Sequence, residues 1–238
     1  MSRTYKSVRA AFNTCIITAR RQHFMEITWY GHSCFRLTER NYVTVVTDPF
    51  DNKVVGYDAL KLKAEIVTIS HDAPGHNNSD AVKGSTHVLT GAGEFEIGGV
   101  FITAVQTDSG KKSKDRVRNT VYVFDYDGIT VAHLGDLQQI PTQSEIELLG
   151  TVNVALVPVG GGSSLNAAKA AEVVSMLEPN LVIPMHYSTP DSKIKLDEIN
   201  KFIKEMGLSK QDAQPSLKVT RSSLPAETHV IVLDYQKG

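Results

Sequence analysis

The sequence predicts an α/β (α+β) fold in which two β-sheets pack face to face and helices lie on the outside. From Met25 onward, β-branched and aromatic residues recur in many short runs, which is typical of β-strands. Strand–helix units appear only in the second half, an order that favours two packed sheets with outer helices. The composition, 41% hydrophobic and 21% charged residues, is that of a globular chain with one large core.

The predicted elements follow from these runs in order. Strands are predicted at Glu26–Tyr30, Ser33–Thr38, Tyr42–Thr47, Glu65–Ser70, Val152–Val157, Leu181–Pro184, Leu217–Thr220 and His229–Asp234. Two hairpins are predicted, one turning at Gly98-Gly99 and one at Asp127-Gly128. Helices are predicted at Gln143–Leu149, Asn166–Leu177 and Leu196–Met206.

Residues 1–24 differ from the rest because they carry five basic residues and no acidic ones. We interpret them as an extension outside the fold, with an organelle transit segment as the alternative, and residues 25–238 as a single domain. The net charge of −1 gives no case for nucleic acid, and no apolar run approaches the ~20 residues that span a bilayer. Two cysteines, Cys15 and Cys34, fit a reducing compartment, and we expect a cytoplasmic protein.

Residues that can bind metals follow the predicted strands with unusual regularity. His32 follows the first strand, Asp48 the third, His71 the run "EIVTIS", Asp136 the run "VAHL", and His186 the run "LVIPM". Loops at strand ends are where functional groups collect in such folds. This placement predicts a polar site at one edge of the sheets.

The ordered motifs "WYGHSCF", "TDP", "ISHDAPGH", "NTVYVF", "HLGDL", "PVGGG" and "IPMHY" resemble the metallo-β-lactamase superfamily over about residues 25–238. Its UlaG-like branch of metal-dependent hydrolases, which includes an ascorbate-phosphate lactonase, is the most similar. The resemblance implies a four-layer αββα sandwich of two mixed sheets with a metal site at one edge.

The superfamily loop reads His-x-His-x-Asp-His, and together with three later ligands it holds two metal ions. By this resemblance His71 and His76 match the outer histidines of the loop, Asp136 matches the bridging carboxylate and His186 the final histidine. Three ligands are missing: Ala73 and Gly75 stand inside the loop, and the remaining histidine should fall near Ser109, beside Asp108. The site is therefore expected to be degenerate.

Three protein ligands and a water suffice for one zinc ion. The sequence thus predicts at most one divalent ion, with zinc as the first candidate and manganese as the second, held by His76, Asp136 and His186 with help from His71. The function predicted is hydrolysis of a small ester, lactone or phosphoester. The alternative is an inactive relative without metal that binds a ligand or a partner. The catalytic residues stay open.

Other polar residues are given plainer interpretations. His32 and Asp48 are expected to orient the ligands by hydrogen bonds, and His133 to be a core residue or a support for the site. Glu94 and Glu96 are read as a solvated strand face. The basic loop Gln106–Arg118 is either solvated or attracts an anionic small-molecule substrate. Glycines 160–162 either bind an anion or serve a tight connection. The sequence leaves a homo-oligomer open.

Overall fold

Two large β-sheets form the centre of the computed structural model, which describes residues 24–107 and 118–237. The strands are β1 (Met25–Trp29), β2 (Phe35–Thr38), β3 (Val45–Thr47), β4 (Leu62–Lys63), β5 (Ile66–Ile69), β6 (Val82–Lys83), β7 (His87–Thr90), β8 (Gly93–Ile97), β9 (Val100–Thr107), β10 (Asn119–Asp125), β11 (Thr130–His133), β12 (Val154–Pro158), β13 (Leu181–Met185), β14 (Leu217–Val219) and β15 (His229–Val230). The helices are α1 (Asn52–Val55), α2 (Gln143–Leu149), α3 (Ala167–Leu177) and α4 (Ile199–Glu205), with 3₁₀ turns at Ser79–Ala81 and Arg221–Ser223.

The first large sheet has the strand order β14-β1-β2-β3-β5-β7, and the second has the order β15-β13-β12-β11-β10-β9-β8. Both are mixed. In the first, β1, β2 and β3 pair antiparallel while β3, β5 and β7 run parallel. In the second, β8 to β11 are antiparallel and β11, β12, β13 and β15 are parallel. Strands β4 and β6 form a separate parallel pair. The predicted fold class, two mixed sheets flanked by helices, is confirmed.

Two hydrophobic cores lie on the two faces of the six-stranded sheet. Successive side chains of a strand point to opposite faces, so Val45 and Ile66 enter the main core between the sheets, while Val46 and Val67 enter a smaller core outside. The smaller core also contains residues of segment 50–64, which includes α1. The six-stranded sheet is therefore buried on both faces, but its outer cover is thin, since α1 has only four residues.

The seven-stranded sheet is covered by longer helices. Helix α3 begins after Asn166, whose side chain accepts a hydrogen bond from the backbone N–H of Lys169. Its buried residues, Ala170, Val173, Val174 and Leu177, recur at helical spacing and face β12 and α4. Every residue of β12 and β13 is buried, as expected of parallel strands covered on both faces.

The sequence predicted most elements correctly, with shifts at their ends. Both hairpin turns are confirmed: β8 and β9 are joined at Gly98-Gly99, and Tyr126 and Ile129 exchange backbone hydrogen bonds around Asp127-Gly128. Several predicted strands were too long, and two of them most clearly: Tyr42–Thr47 starts only at Val45, and His229–Asp234 ends at Val230. The early elements α1, β4, β6 and β7 were not predicted.

Some predictions lie outside the described residues: the extension, apart from Phe24, together with Cys15, Asp108, Ser109 and most of the basic loop. The division into an extension and one domain over residues 25–238 stays a prediction. Within the described ranges, no helix has the length and apolar character needed to cross a bilayer.

Candidate metal centre

The residues predicted for the site come together where strands of both large sheets end. The six-stranded sheet contributes four of them, in the β1–β2 turn, directly after β3, and in the loop after β5: His32, Asp48, His71 and His76. The seven-stranded sheet contributes Asp136, after β11, and His186, directly after β13. The expected convergence at one edge is therefore observed, although these residues lie far apart in the sequence.

Asp48 fixes the orientation of His76. Its carboxylate accepts hydrogen bonds from the backbone N–H of Ser70 (2.7 Å), the Ser70 hydroxyl (2.5 Å) and His76 Nδ1 (2.8 Å). Burial acts to raise the pKa of Asp48, but the neighbouring His133 imidazole and the hydrogen bonds from His76 and Ser70 outweigh it and lower the pKa to about 2. Because the carboxylate is ionised, His76 carries its proton on Nδ1, and its Nε2 offers a lone pair.

His186 and His71 are held in the same tautomer by serine hydroxyls. The Ser164 hydroxyl donates to the Gly161 carbonyl, so it accepts the hydrogen bond from His186 Nδ1 (3.1 Å). The Ser70 hydroxyl donates to Asp48, so it accepts from His71 Nδ1 (3.2 Å). Both imidazoles therefore present an unprotonated Nε2 to the site. Burial lowers the pKa of His71, and it lowers the pKa of His186 to about 4, which keeps both rings neutral near pH 7.

Asp136 lies between these histidines. Its Oδ2 accepts a hydrogen bond from the Ser163 hydroxyl (2.7 Å) and is 3.7 Å from His71 Nε2, while its Oδ1 is 3.8 Å from His186 Nε2. The backbone N–H of Asp136 donates to Asn119 Oδ1, which fixes the loop after β11. Among the described residues Oδ1 is buried without a hydrogen-bond partner. A buried carboxylate oxygen needs such a partner, and a cation or a water can supply it.

The ligand atoms form two overlapping groups in which all atoms lie within 4.8 Å of one another: His71, His76 and Asp136, and His32, His76 and His186. Neutral imidazoles with outward lone pairs and an unpartnered carboxylate oxygen are the donors that Zn²⁺ and related ions bind. The residues present therefore fit a divalent ion. His76 belongs to both groups, and Asp136 reaches toward both.

His32 lies deeper in this cluster than its sequence context indicated. Its side chain is buried, and its Nε2 is 3.2 Å from His76 Nε2. Its ring centroid is 4.2 Å from that of His186. Burial, and then the charges of His186, His76 and His71, lower its pKa well below the usual value. The prediction that His32 orients neighbours by hydrogen bonds stays a prediction, whereas Asp48 makes the hydrogen bonds expected of such a role.

The loop after β5 has no donor at two positions. Ala73 and Gly75 lie between the histidines, and Asp72 is exposed, where its carboxylate accepts a hydrogen bond from the Asn77 side chain. Asp72 therefore points away from the cluster, as its position next to His71 predicted. The position expected for the remaining histidine, near Ser109, lies outside the described residues.

The serines and Asn119 were not identified from the sequence as parts of the site. Ser70 is adjacent to His71, and Ser163 and Ser164 directly follow the glycine run 160–162. These positions next to predicted features were the signals that could have identified the serines. Backbone N–H groups of Gly160 and Gly161 donate to His186 and Leu165 carbonyls, which favours the tight-connection interpretation of that run.

The plainer interpretations hold for the remaining candidates. His133 is buried and its Nε2 donates to the Ser33 carbonyl (2.9 Å), as expected of a core residue, and it also neighbours Asp48, so a supporting role stays a prediction. Glu94 and Glu96 are exposed on β8, and Cys34 is fully buried with a pKa raised well above its usual value by burial.

A cleft of 670 Å³ opens beside His71. Its walls include Ser70, Asp72, Asn77, Gln106, Arg118 and Thr120. The cleft joins the edge of the metal-binding cluster to solvent and has the size of a small-molecule site. Among the described lining residues, Arg118 carries the positive charge of a guanidinium.

Comparison with known proteins bears on these features. A solved metallo-β-lactamase superfamily structure from Thermotoga maritima matches with a TM-score of 0.72 and 34% identity, over 88% of this chain and 98% of that one. A model of the β-lactamase superfamily domain matches residues 26–186. The chain belongs to the metallo-β-lactamase superfamily.

Two further relatives are less similar in sequence. A UPF0173 metal-dependent hydrolase of Thermoplasma acidophilum is 26% identical over 192 residues, which cover 70% of this chain and 85% of the relative. A solved Parabacteroides distasonis structure is 20% identical, with a TM-score of 0.61 over 89% of this chain and 94% of that one, and supports the fold alone. The predicted UlaG-like branch is a finer assignment than these matches reach.

Proposed function

We propose that the protein is a metal-dependent hydrolase that binds at most one divalent ion at this site, zinc in the first place and manganese as the second candidate. One observation carries the proposal: unprotonated Nε2 atoms of His71 and His186 lie 3.7 and 3.8 Å from the two carboxylate oxygens of Asp136, and His76 offers a third ligand nitrogen within 4.8 Å of the His71 and Asp136 ligand atoms. The names of the UPF0173 relatives agree with it. The donors missing at Ala73 and Gly75 limit the number of ions.

The chain's own groups prepare the site before substrate arrives. Asp48, Ser70 and Ser164 hold three imidazoles in the tautomer that ligates, and Ser163 and Asn119 hold the loop that carries Asp136. Such preorganisation avoids a reorganisation cost during the reaction. A bound divalent ion supplies Lewis acidity there and activates water near neutral pH.

The substrate class proposed is a small anionic ester, lactone or phosphoester, as expected for the UlaG-like branch. Support comes from the cleft beside His71, whose size suits a small molecule and whose wall carries the guanidinium of Arg118. Guanidinium groups bind carboxylates and phosphates through paired hydrogen bonds. A cytoplasmic location is part of the proposal, since the buried Cys34 thiol forms no disulfide.

The proposal is tested by metal analysis together with hydrolysis. The full chain is purified without chelator, its zinc, manganese and iron are measured, and it is assayed with p-nitrophenyl acetate, γ-butyrolactone and bis(p-nitrophenyl) phosphate. We expect one ion per chain and hydrolysis of at least one compound, lost in Asp136→Asn and retained in the surface control His87→Asn. Arg118→Ala should raise KM for an anionic substrate more than it lowers kcat.

The second candidate function is a ligand- or partner-binding module without catalysis. The observation that favours it is the absence of donor atoms at Ala73 and Gly75. Metal-free protein that neither takes up zinc nor hydrolyses any of the compounds would support this module and overturn the hydrolase.

A further inference from the structure

The space beside Gly75 is filled by the imidazole of His32. A Cβ atom placed on Gly75 would lie 2.9 Å from His32 Nε2 and 3.3 Å from His32 Cδ2. Gly75 itself does not have a positive φ, so its backbone does not require glycine. A side chain at position 75 and the present position of the His32 ring therefore exclude each other.

His32 Nε2 lies at the distance from His76 Nε2 that two ligands of one metal ion would have. His32 Nε2 and His76 Nε2 are 3.2 Å apart. Two nitrogens bound to one tetrahedral zinc at 2.0–2.1 Å are roughly 3.3 Å apart. His186 completes the group, with all three ligand atoms within 4.8 Å. Since His76 and His186 each present an unprotonated Nε2, three imidazoles point at one small volume.

The hydrogen bonds of the His32 ring bear on whether this residue is a metal ligand or orients one. A histidine that ligates a metal usually donates its second ring N–H to a carboxylate, a carbonyl or a water. Within the described residues the His32 side chain has one hydrogen-bond contact, His76 Nε2, and its Nδ1 is buried without a partner. None of the described carboxylates or carbonyls accepts from Nδ1, so a water would complete this nitrogen when His32 ligates the ion.

The backbone presents His32 at a cost. Its φ is +51°, a left-handed conformation that non-glycine residues rarely adopt. Two hydrogen bonds to its carbonyl maintain it, from the backbone N–H of His186 (3.0 Å) and from Trp29 Nε1 (3.1 Å). Strain of this kind persists where the surroundings enforce it, and functional sites are where it concentrates.

We propose that His32 replaces the ligand lost at Gly75, so that the single ion is held by His32, His76 and His186 with Asp136 as the oxygen ligand. The inference rests on the proposed function, because it names the ligands of that same ion. In this arrangement the turn between β1 and β2 supplies the ligand that the loop after β5 no longer supplies. The site is then a rebuilt one, with three nitrogens and one oxygen.

A ligand exchange tests the proposal. Four proteins are compared: the parent, His32→Ala, Gly75→Asp and the double variant. Their zinc affinity is measured by competition with a chromophoric chelator. The visible absorption of the cobalt(II)-loaded proteins reports the ligands of the ion. We expect His32→Ala to weaken zinc binding by more than the about 100-fold that loss of an orienting residue causes. Gly75→Asp alone should not tighten binding, because the His32 ring blocks it. The double variant should recover at least tenfold, with a shifted cobalt absorption band.

Two results would overturn the inference while leaving the proposed function intact: unchanged zinc affinity in His32→Ala, or weakened affinity that Asp at position 75 does not restore. A parent protein that binds no zinc would overturn both. His87→Ala, an exposed histidine on β7, is the matched control.

A measurement on protein that keeps His32 covers the case in which His32→Ala does not fold. X-ray absorption of zinc-loaded His71→Asn counts imidazole ligands without touching the three proposed nitrogens. Three imidazoles support the inference, and two overturn it.

Discussion

At the scale of single residues, backbone strain marks the candidate site. In the described ranges five non-glycine residues have positive φ, and His32, Asp48 and His186 are three of them. The other two, Asp127 and Glu178, lie in a hairpin turn and at the end of α3, where such conformations are common. Strained residues at three separate strand ends indicate that the fold holds these side chains in place for a purpose other than stability.

The ligands should differ in their importance for the ion. We expect His186→Ala and Asp136→Ala each to remove most of the bound metal, whereas His71→Ala should remove less, because its group lacks the donor at Ala73. Elemental analysis after dialysis measures the difference, with His87→Ala as the control. Equal losses in all three variants would show that His71 is a full ligand of the ion.

The buried histidines should make the metal-free protein sensitive to acid. Burial lowers the pKa of His186 from 6.5 to about 4, so between these values the unfolded chain binds a proton that the folded chain does not. The free energy of unfolding should therefore fall as pH falls from 6.5 to 4, by roughly 3 kcal/mol at most from this residue. Asp48 acts in a separate window: its stabilisation is lost as pH falls from 3.8 toward 2.

Urea unfolding of chelator-treated protein at pH 7.0, 5.5 and 4.5 measures this loss. His186→Asn should flatten the profile, since asparagine does not titrate. A free energy of unfolding that is constant over this range would show that His186 is not buried in the neutral form.

At the scale of elements, the β10–β11 hairpin has its turn at one end and residues of the candidate site at the other. Its strands lead from Asn119 to Asp136, and its two-residue turn has φ values of +52° at Asp127 and +84° at Gly128. Gly128→Ala should lower the free energy of unfolding by about 1–2 kcal/mol, because the alanine is forced to positive φ and its Cβ approaches Arg221. Urea denaturation measures it, and Asp127→Asn, which tolerates the left-handed conformation, should be nearly neutral. Equal stability of Gly128→Ala and the parent would contradict this turn.

Elements were predictable where periodicity was strong and missed where it was weak. The Asp127-Gly128 turn could be identified because the turn depends only on its own two residues. Helix α2 could be identified because helical spacing is visible within a short stretch of sequence. Strand β7 was missed because only Leu89 is buried in it, and β4 and β6 have two residues each. The same limit applies to the site. The strand-end positions of His71 and Asp136 were visible in the sequence, but the contact between His32 and Gly75 exists only after the fold forms.

At the scale of the whole molecule, one ion should stabilise the folded chain. We expect saturation at no more than one zinc per chain, with a rise in the thermal midpoint on loading that chelator reverses. Ligand at 100 times its dissociation constant stabilises a folded protein by about 2.7 kcal/mol. Calorimetric titration and thermal scans measure both quantities, with Asp136→Asn as the control that should not respond. Two tightly bound ions would mean that donors outside the described residues complete the second position.

The hydrogen bond from the His186 amide to the His32 carbonyl joins the turn of one sheet to a strand end of the other. It is a backbone link across the interface, placed beside the ligands that both sheets contribute. An ion bound there would clamp the two halves of the sandwich at this edge, so that they separate only when coordination breaks. The exchange rate of the His186 amide with deuterium is therefore a direct readout of how often the sandwich opens, and metal should slow it.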